Sequence, residues 1–183
     1  SINIYANHYA QQAGWQVAQN LDIEASIGSS DNVEISTDAK GNAFATWYRF
    51  DGTVNNIWFS QYIKNQGWQN PVLLQSDCDC AHPQIATVKG GGVIVAWSQL
   101  EEDGTFGIYI RQLSKEGAWG TRVKIAEAEN VLNPAVKLIS NSDASHLAVW
   151  WWVDDGSNTS IHLKRYSVDS AWTDVELISL PNV

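Results

Sequence analysis

The chain has 183 residues, 44% of them hydrophobic and 17% charged, the balance of a folded globular protein and not of a disordered one. Its formal net charge of −9, with 11 basic residues scattered among 20 acidic ones, argues against a nucleic-acid or anionic-membrane partner, because phosphate binding needs clustered Lys and Arg. No apolar run reaches the roughly 18 residues of a membrane-spanning helix, so no membrane insertion is expected, and ten Trp must find a place in any fold.

In chain order, residues 2–9 alternate like a strand and Gly14-Trp15 opens a second one. A full unit follows, with strands predicted at 33–37, 43–48, 56–62 and 68–74, here termed a, b, c and d. Turns at 38–42, Asp51-Gly52 and 65–67 separate them. The same order recurs at 84–88, 93–98, 107–113 and 119–125, and again at 135–139, 146–151, 160–166 and 172–178. Each stretch is rich in β-branched and aromatic residues and bounded by Gly, Asn or Asp, as hairpins require. Residues 2–9 match strand c, so the chain holds three full units and one half unit.

Three landmarks share one period, which is the mark of a repeat architecture. Trp15, Trp68, Trp119 and Trp172 are spaced 53, 51 and 53 apart; Trp47, Trp97 and Trp150 are spaced 50 and 53; the Asp-Gly pairs at 51, 103 and 155 are spaced 52 and 52. Strand b carries bulky groups on both faces, with Ala43, Ala45 and Trp47 on one and Phe44, Thr46 and Tyr48 on the other. A sheet buried on both faces fits blades stacked around an axis, whereas an open sandwich gives no reason for the period. The expected fold is therefore all-β: a β-propeller, or part of one, of four-stranded antiparallel blades, about three and a half in this chain. The whole of 1–183 is one propeller segment, divided into a half blade at 1–25 and blades at 26–76, 77–128 and 129–183.

The pattern Asp38, Gly41, Asn42, Ala43, Ala45, Trp47, then Asp51, Gly52, Thr53, then Ile57, Trp58, Tyr62, Gly67 and Trp68 resembles repeats of bacterial secreted or surface β-propellers, sialidase-like or lectin-like. Ser167, Asp169 and Trp172 resemble, loosely, the Asp-box of sialidase-like propellers, with Ala171 near where its Gly belongs; such boxes are structural there. The resemblance implies a secreted, periplasmic or cell-surface location. A sialidase-type site would need several converging Arg, and the four here (Arg49, Arg111, Arg122 and Arg165) occupy different repeat positions.

Three and a half units would leave open blade faces and an unpaired half blade, which invite aggregation. The remaining blades are expected from the same longer protein, the chain being a processed or excised piece, or from other subunits. A dimer gives seven units by count, but neither chain obviously supplies the inner strands that each half blade lacks.

Strand direction places the b–c and d–a connections on one face of the disc. They carry Asp51, then Glu101, Glu102 and Asp103, then Asp154 and Asp155, with Asp31, Asp77 and Asp79 from the d–a connections. The functional reading is a site for a carbohydrate or a protein partner, with Asp51, Glu101, Asp103, Asp154 and Asp155 as polar contacts and Trp151 and Trp152, additional to the repeat, as a stacking platform. No cofactor is expected; Ca²⁺ suits hard oxygen ligands, with Asp77 and Asp79 as weak candidates. The plainer reading is that Asp-Gly makes a good turn and acidic loops aid solubility. Cys78 and Cys80 admit a short disulfide, free thiols, or a metal site with His82. His82 aligns with Asn32 and Asn133, which favours a structural role. No nucleophile elbow, phosphate loop or metalloprotease motif occurs, and no catalytic residue is assigned. The sequence thus points to a noncatalytic binding or scaffold module, with a fragment of a glycan-processing, sialidase-like hydrolase and a structural subunit of an extracellular assembly as alternatives.

Overall fold

Short β-branched and aromatic runs, broken about every ten residues by Gly, Asn and Asp, build strands and no helix among the described residues. The computed structural model describes residues 2–22, 28–128, 136–154, 159–167 and 169–178. A leading hairpin comes first, formed by β1 (Tyr5–Ala6), β2 (Tyr9–Ala10), β3 (Gly14–Trp15) and β4 (Gln19–Asn20), with β1 on β4 and β2 on β3. The first sheet follows as β5 (Ser29–Thr37), β6 (Ala43–Phe50), β7 (Asn55–Ile63), β8 (Gly67–Trp68) and β9 (Val72–Gln75). The second is β10 (Asp79–Thr87), β11 (Val93–Leu100), β12 (Phe106–Leu113) and β13 (Val123–Ala128). The third is β14 (Val136–Ser140), β15 (His146–Asp154), β16 (Thr159–Ser167), β17 (Ala171–Trp172) and β18 (Glu176–Ile178). All ladders are antiparallel, and within the three sheets strands a, b and c pair in sequence order. The fold is all-β, made of several antiparallel sheets, as the strand pattern required.

The expected continuous strand d is two pieces. After Trp68 and Trp172 the edge strand leaves the ladder and rejoins it at β9 and β18, both on the same strand c partner. One backbone bond per sheet survives between the pieces: Gln69, Gly120 and Thr173 each donate their N–H to strand c at 2.8 Å. An outermost strand tolerates such a bulge because no further strand is registered on it. Strand a carries a bulge of its own, where Asn32 and His82 sit at φ 52° and 51° beside register shifts. Asn and His tolerate this left-handed region better than most side chains, so the structural role expected of His82 is a backbone one. Asn133 lies outside the described residues.

The sheets stack face to face, with β10 against β5 on one side and β14 on the other. One core joins the first sheet to the second through Phe44, Ile57 and Phe59 against Ile85, Val95 and Trp97. A second joins the second sheet to the third through Ala86, Ile94 and Ile110 against Leu138, Val149 and Trp151. The hairpin closes on the first sheet through Ile4 and Leu21 against Ala45 and Trp47. Below it, Asp22 and Arg49 form an ion pair at 2.7 Å, both almost wholly buried.

The third sheet corrects the repeat. Trp47 and Trp97 are fully buried, and their counterpart is Trp151, at 1% exposure, not Trp150. The cause is one extra residue in the a–b turn. Asp38 donates its N–H to Asn42 and Val88 to Gly92, four positions on, whereas Asn141 donates to His146, five on. A one-residue slip turns every side chain of a strand to the opposite face. Trp150 and Trp152 therefore share the outward face of the third sheet, 5.8 Å apart.

This register has a direct test. Trp151→Ala should cost about 3–5 kcal/mol, as for other large buried aromatics, and Trp152→Ala less than about 1 kcal/mol. Denaturant unfolding of dilute protein measures both. Equal costs would contradict the register.

Candidate functional site

Two of the loop carboxylates, Asp51 and Asp103, are engaged by their own turns. Asp51 Oδ1 accepts from the N–H groups of Thr53 (2.8 Å) and Val54 (3.0 Å), and Oδ2 accepts from Asn56 Nδ2 (2.7 Å). These bonds, the two from backbone first, hold its carboxyl below the ordinary Asp value. Asp103 accepts from the Thr105 N–H at 3.0 Å and hydroxyl at 2.7 Å, and its carboxyl is lowered for that reason. Both are Asx turns, the chemistry that makes Asp a turn residue. The strand position of Asp154 opposite Thr159 is defined, while Asp155 lies outside the described residues.

The junction of the first and second sheets is different. A polar depression of about 740 Å³ opens there, lined by Gln75, Asp77, Gln99, Glu101, Glu102, Asp103, Arg122 and Lys124 among others. The d–a connection of the first sheet, the b–c loop of the second and the start of β13 each supply one wall. Of the expected site residues it gathers Glu101, Asp103 and Asp77. Asp51 is not among its lining residues.

Several of its lining residues meet Tyr109, which is buried in the core between these sheets. The Tyr109 hydroxyl donates to Glu101 Oε1, the Arg122 guanidinium lies 4.5 Å over its ring, and Arg122 donates to Gln99 Oε1 at 2.9 Å. Lys124 Nζ stands 3.6 Å from Glu101 and 2.8 Å from Glu127. The bond to Glu127 is the first cause of a raised Lys124 value. Gln99, Arg122 and Lys124 were not predicted from sequence. The signal was the alternation of Arg122 and Lys124 along strand d, which sets both on one face.

Cys78 and Cys80 are joined in a disulfide and buried. Asp77 precedes it at φ 53° and donates its N–H to Asn56 Oδ1 at 2.9 Å, while Asp79 Oδ1 accepts from Asn55 Nδ2 at 3.3 Å. The pair of Asp is thus drawn to different partners. Among the described residues no three His, Cys, Asp or Glu side chains gather as a metal site. Trp151 cannot be a stacking platform, because the register slip buries it; Trp152 is exposed, but on the outward face of the third sheet. The four Arg do not converge: Arg49 pairs with Asp22, Arg111 donates to the Leu74 and Gly120 carbonyls, Arg122 to Gln99, and Arg165 pairs with Glu176.

No family model and no curated protein matches the chain. Solved structures do. A protein of unknown function from Dyadobacter fermentans is 14% identical with a TM-score of 0.57, over 79% of this chain and 53% of that one. The Hadza microbial sialidase Hz136 is 12% identical with a TM-score of 0.58, over 90% of this chain and 38% of that one. The likeness is one of fold. This chain spans about half the length of the first protein and less of the second.

Burial first, then the hydrogen bond to Glu101, raises the Tyr109 phenol above the ordinary Tyr value. The contact therefore stabilises the fold fully below that ordinary value and is lost as pH climbs through the raised one. In an alkaline phenolate titration Tyr109 should ionise after typical tyrosines, and Glu101→Gln should bring it part of the way back. An unshifted late phase in that variant would contradict the Tyr109–Glu101 link.

Proposed function

We propose that the chain is an arc of a β-propeller, with a half blade at 1–25 and blades at 26–76, 77–128 and 129–183, serving as a noncatalytic binding module of a secreted or cell-surface bacterial protein. The likeness to longer all-β proteins and the stacking of sheets at one period support the arc. Further blades, from the same longer protein or from other subunits, complete it. The buried Cys78–Cys80 disulfide supports an oxidising compartment.

The observation that carries the binding role is the depression of about 740 Å³ between the first two sheets. Its polar groups alternate donors and acceptors: the Gln75 and Gln99 amides, the Asp77, Glu101 and Glu102 carboxylates, the Arg122 and Lys124 cations. Such a lining suits a hydroxyl-rich ligand, whose neighbouring O–H groups both donate and accept, and carbohydrate is the class proposed. The carboxylates of Asp51 and Asp103 are committed to their turns and that of Glu101 to Tyr109 and Lys124, so Asp77 and Glu102 are the carboxylates offered to a ligand. The alternative, a piece of a glycan hydrolase, draws on the named activity of the sialidase whose fold it resembles. The scattered engagement of the four Arg speaks against it.

A glycan array on the protein, followed by calorimetry and a turnover assay on each hit, separates the two. Binding without turnover is expected, weakened about tenfold by Glu102→Gln or Asp77→Asn, the cost of one charge-assisted hydrogen bond. Hydrolysis of a bound glycan abolished by a carboxylate substitution would sink the noncatalytic role.

A further inference from the structure

The sheet interfaces share a knob and a socket. The knob is the Trp that opens strand d, set against an aromatic partner on strand c: Trp68 with Tyr62, and Trp172 with Tyr166. In the second sheet the same Trp, Trp119, stands edge-on to Phe59 of the first sheet, with ring centroids 4.9 Å apart. The socket there is made by Phe44 and Phe59. In the next interface Trp172 and Tyr166 meet the second core, whose corresponding socket is Ala86, Ile94 and Ile110. Trp68 packs in the same way on the core that joins the hairpin to the first sheet, so three knobs are seated within the chain.

One of each is left over. Trp15 and Tyr9 form the same aromatic pair, at 5.5 Å, yet are 69% and 56% exposed. On the outward face of the third sheet the corresponding socket residues are Ile139, Ala148 and Leu163. A cavity of about 470 Å³ lies there, lined by Ile139, Ala148 and Arg165 among others, with Ile139 58% exposed.

We infer that this socket receives the Trp15–Tyr9 knob of a second copy of the chain, two such contacts closing a head-to-tail dimer. The bulk of the outward face fits the leading hairpin better than a full four-stranded sheet. Where a complete sheet covers strand b, its central outward positions hold Thr46 and Tyr48, or Ala96 and Ser98, with Thr46, Ala96 and Ser98 inaccessible. The third sheet places Trp150 and Trp152 there. A hairpin brings only the outer two strands of a unit, and two indole rings fill the volume that its inner strands would occupy. The inference rests on the stacked arc proposed above, but not on the ligand depression, which lies at another junction.

Light scattering across a dilution series reads it. A mass twice the 20.3 kDa of the chain is expected, and Trp15→Ser and Ile139→Asp, both at exposed positions, should each return the protein to monomer at more than tenfold higher concentration. Trp150→Ala should weaken the dimer without abolishing the fold, checked by circular dichroism. A monomer at every concentration, as when sheets of a longer chain cover these surfaces, overturns the inference. So does an open ladder of larger masses, or a dimer indifferent to Trp15→Ser and Ile139→Asp. Glycan binding retained by a monomer would leave the ligand depression standing while this interface fell.

Discussion

The first two sheets of this protein bury two faces at once. That requirement sets the composition of the strands: the second sheet keeps Val93, Val95 and Trp97 for its neighbour on one side and Ile94 and Ala96 for the other, all fully inaccessible. A strand hydrophobic on both faces has no solvent side to fix its register. The register must then come from the turns, and this is why the short a–b hairpins carry so many side-chain bonds. Asp38 accepts from the backbone of Lys40 and Asn42, both at 2.9 Å, and Asn42 reaches on to the Lys64 N–H at 3.0 Å.

The third sheet shows the consequence when a turn grows. Trp150 and Trp151 are adjacent and chemically identical, and spacing alone selects Trp150 as the repeat residue. The inserted residue in the 141–146 turn reverses that choice. Nothing in the period of the aromatic residues reveals it, because a period is blind to a shift that occurs inside a loop. The repeat, the strand order and the all-β character were legible, since each depends on patterns that recur several times. The face of a given Trp was not, since it hangs on one residue. Strand d was half legible: its Trp is obvious, but the bulge after it leaves no trace in hydrophobicity.

The loop face was legible as acidic but not as a site. Asp-Gly in a hairpin loop satisfies its own turn, and Asp51 and Asp103 do so; their sequence context states the turn and nothing more. The depression owes as much to Gln99 and Lys124, which belong to strands, and to Arg122, which directly precedes β13. Arg122 is held by a Tyr ring and a Gln amide that come from different strands, so only the folded ladder brings the three together. Alternation along β13 puts Arg122 and Lys124 side by side, but it says nothing of the neighbour they face.

The same corner recurs between the leading hairpin and the first sheet, and there it is closed. Arg49 stands where the second sheet has Gln99, and Asp22 follows strand d of the hairpin as Gln75 ends that of the first sheet. At the hairpin junction the two residues are oppositely charged, meet at 2.7 Å and are buried. Such a pair, once desolvated, is costly to separate, since removing either partner leaves an uncompensated charge. At the next junction the corresponding residues are two neutral amides with no charge to draw them together, and the corner stays open. One repeat position thus has two forms, a buried latch that fixes the hairpin and an open polar cleft. The change from an Asp–Arg pair to two Gln is what separates them.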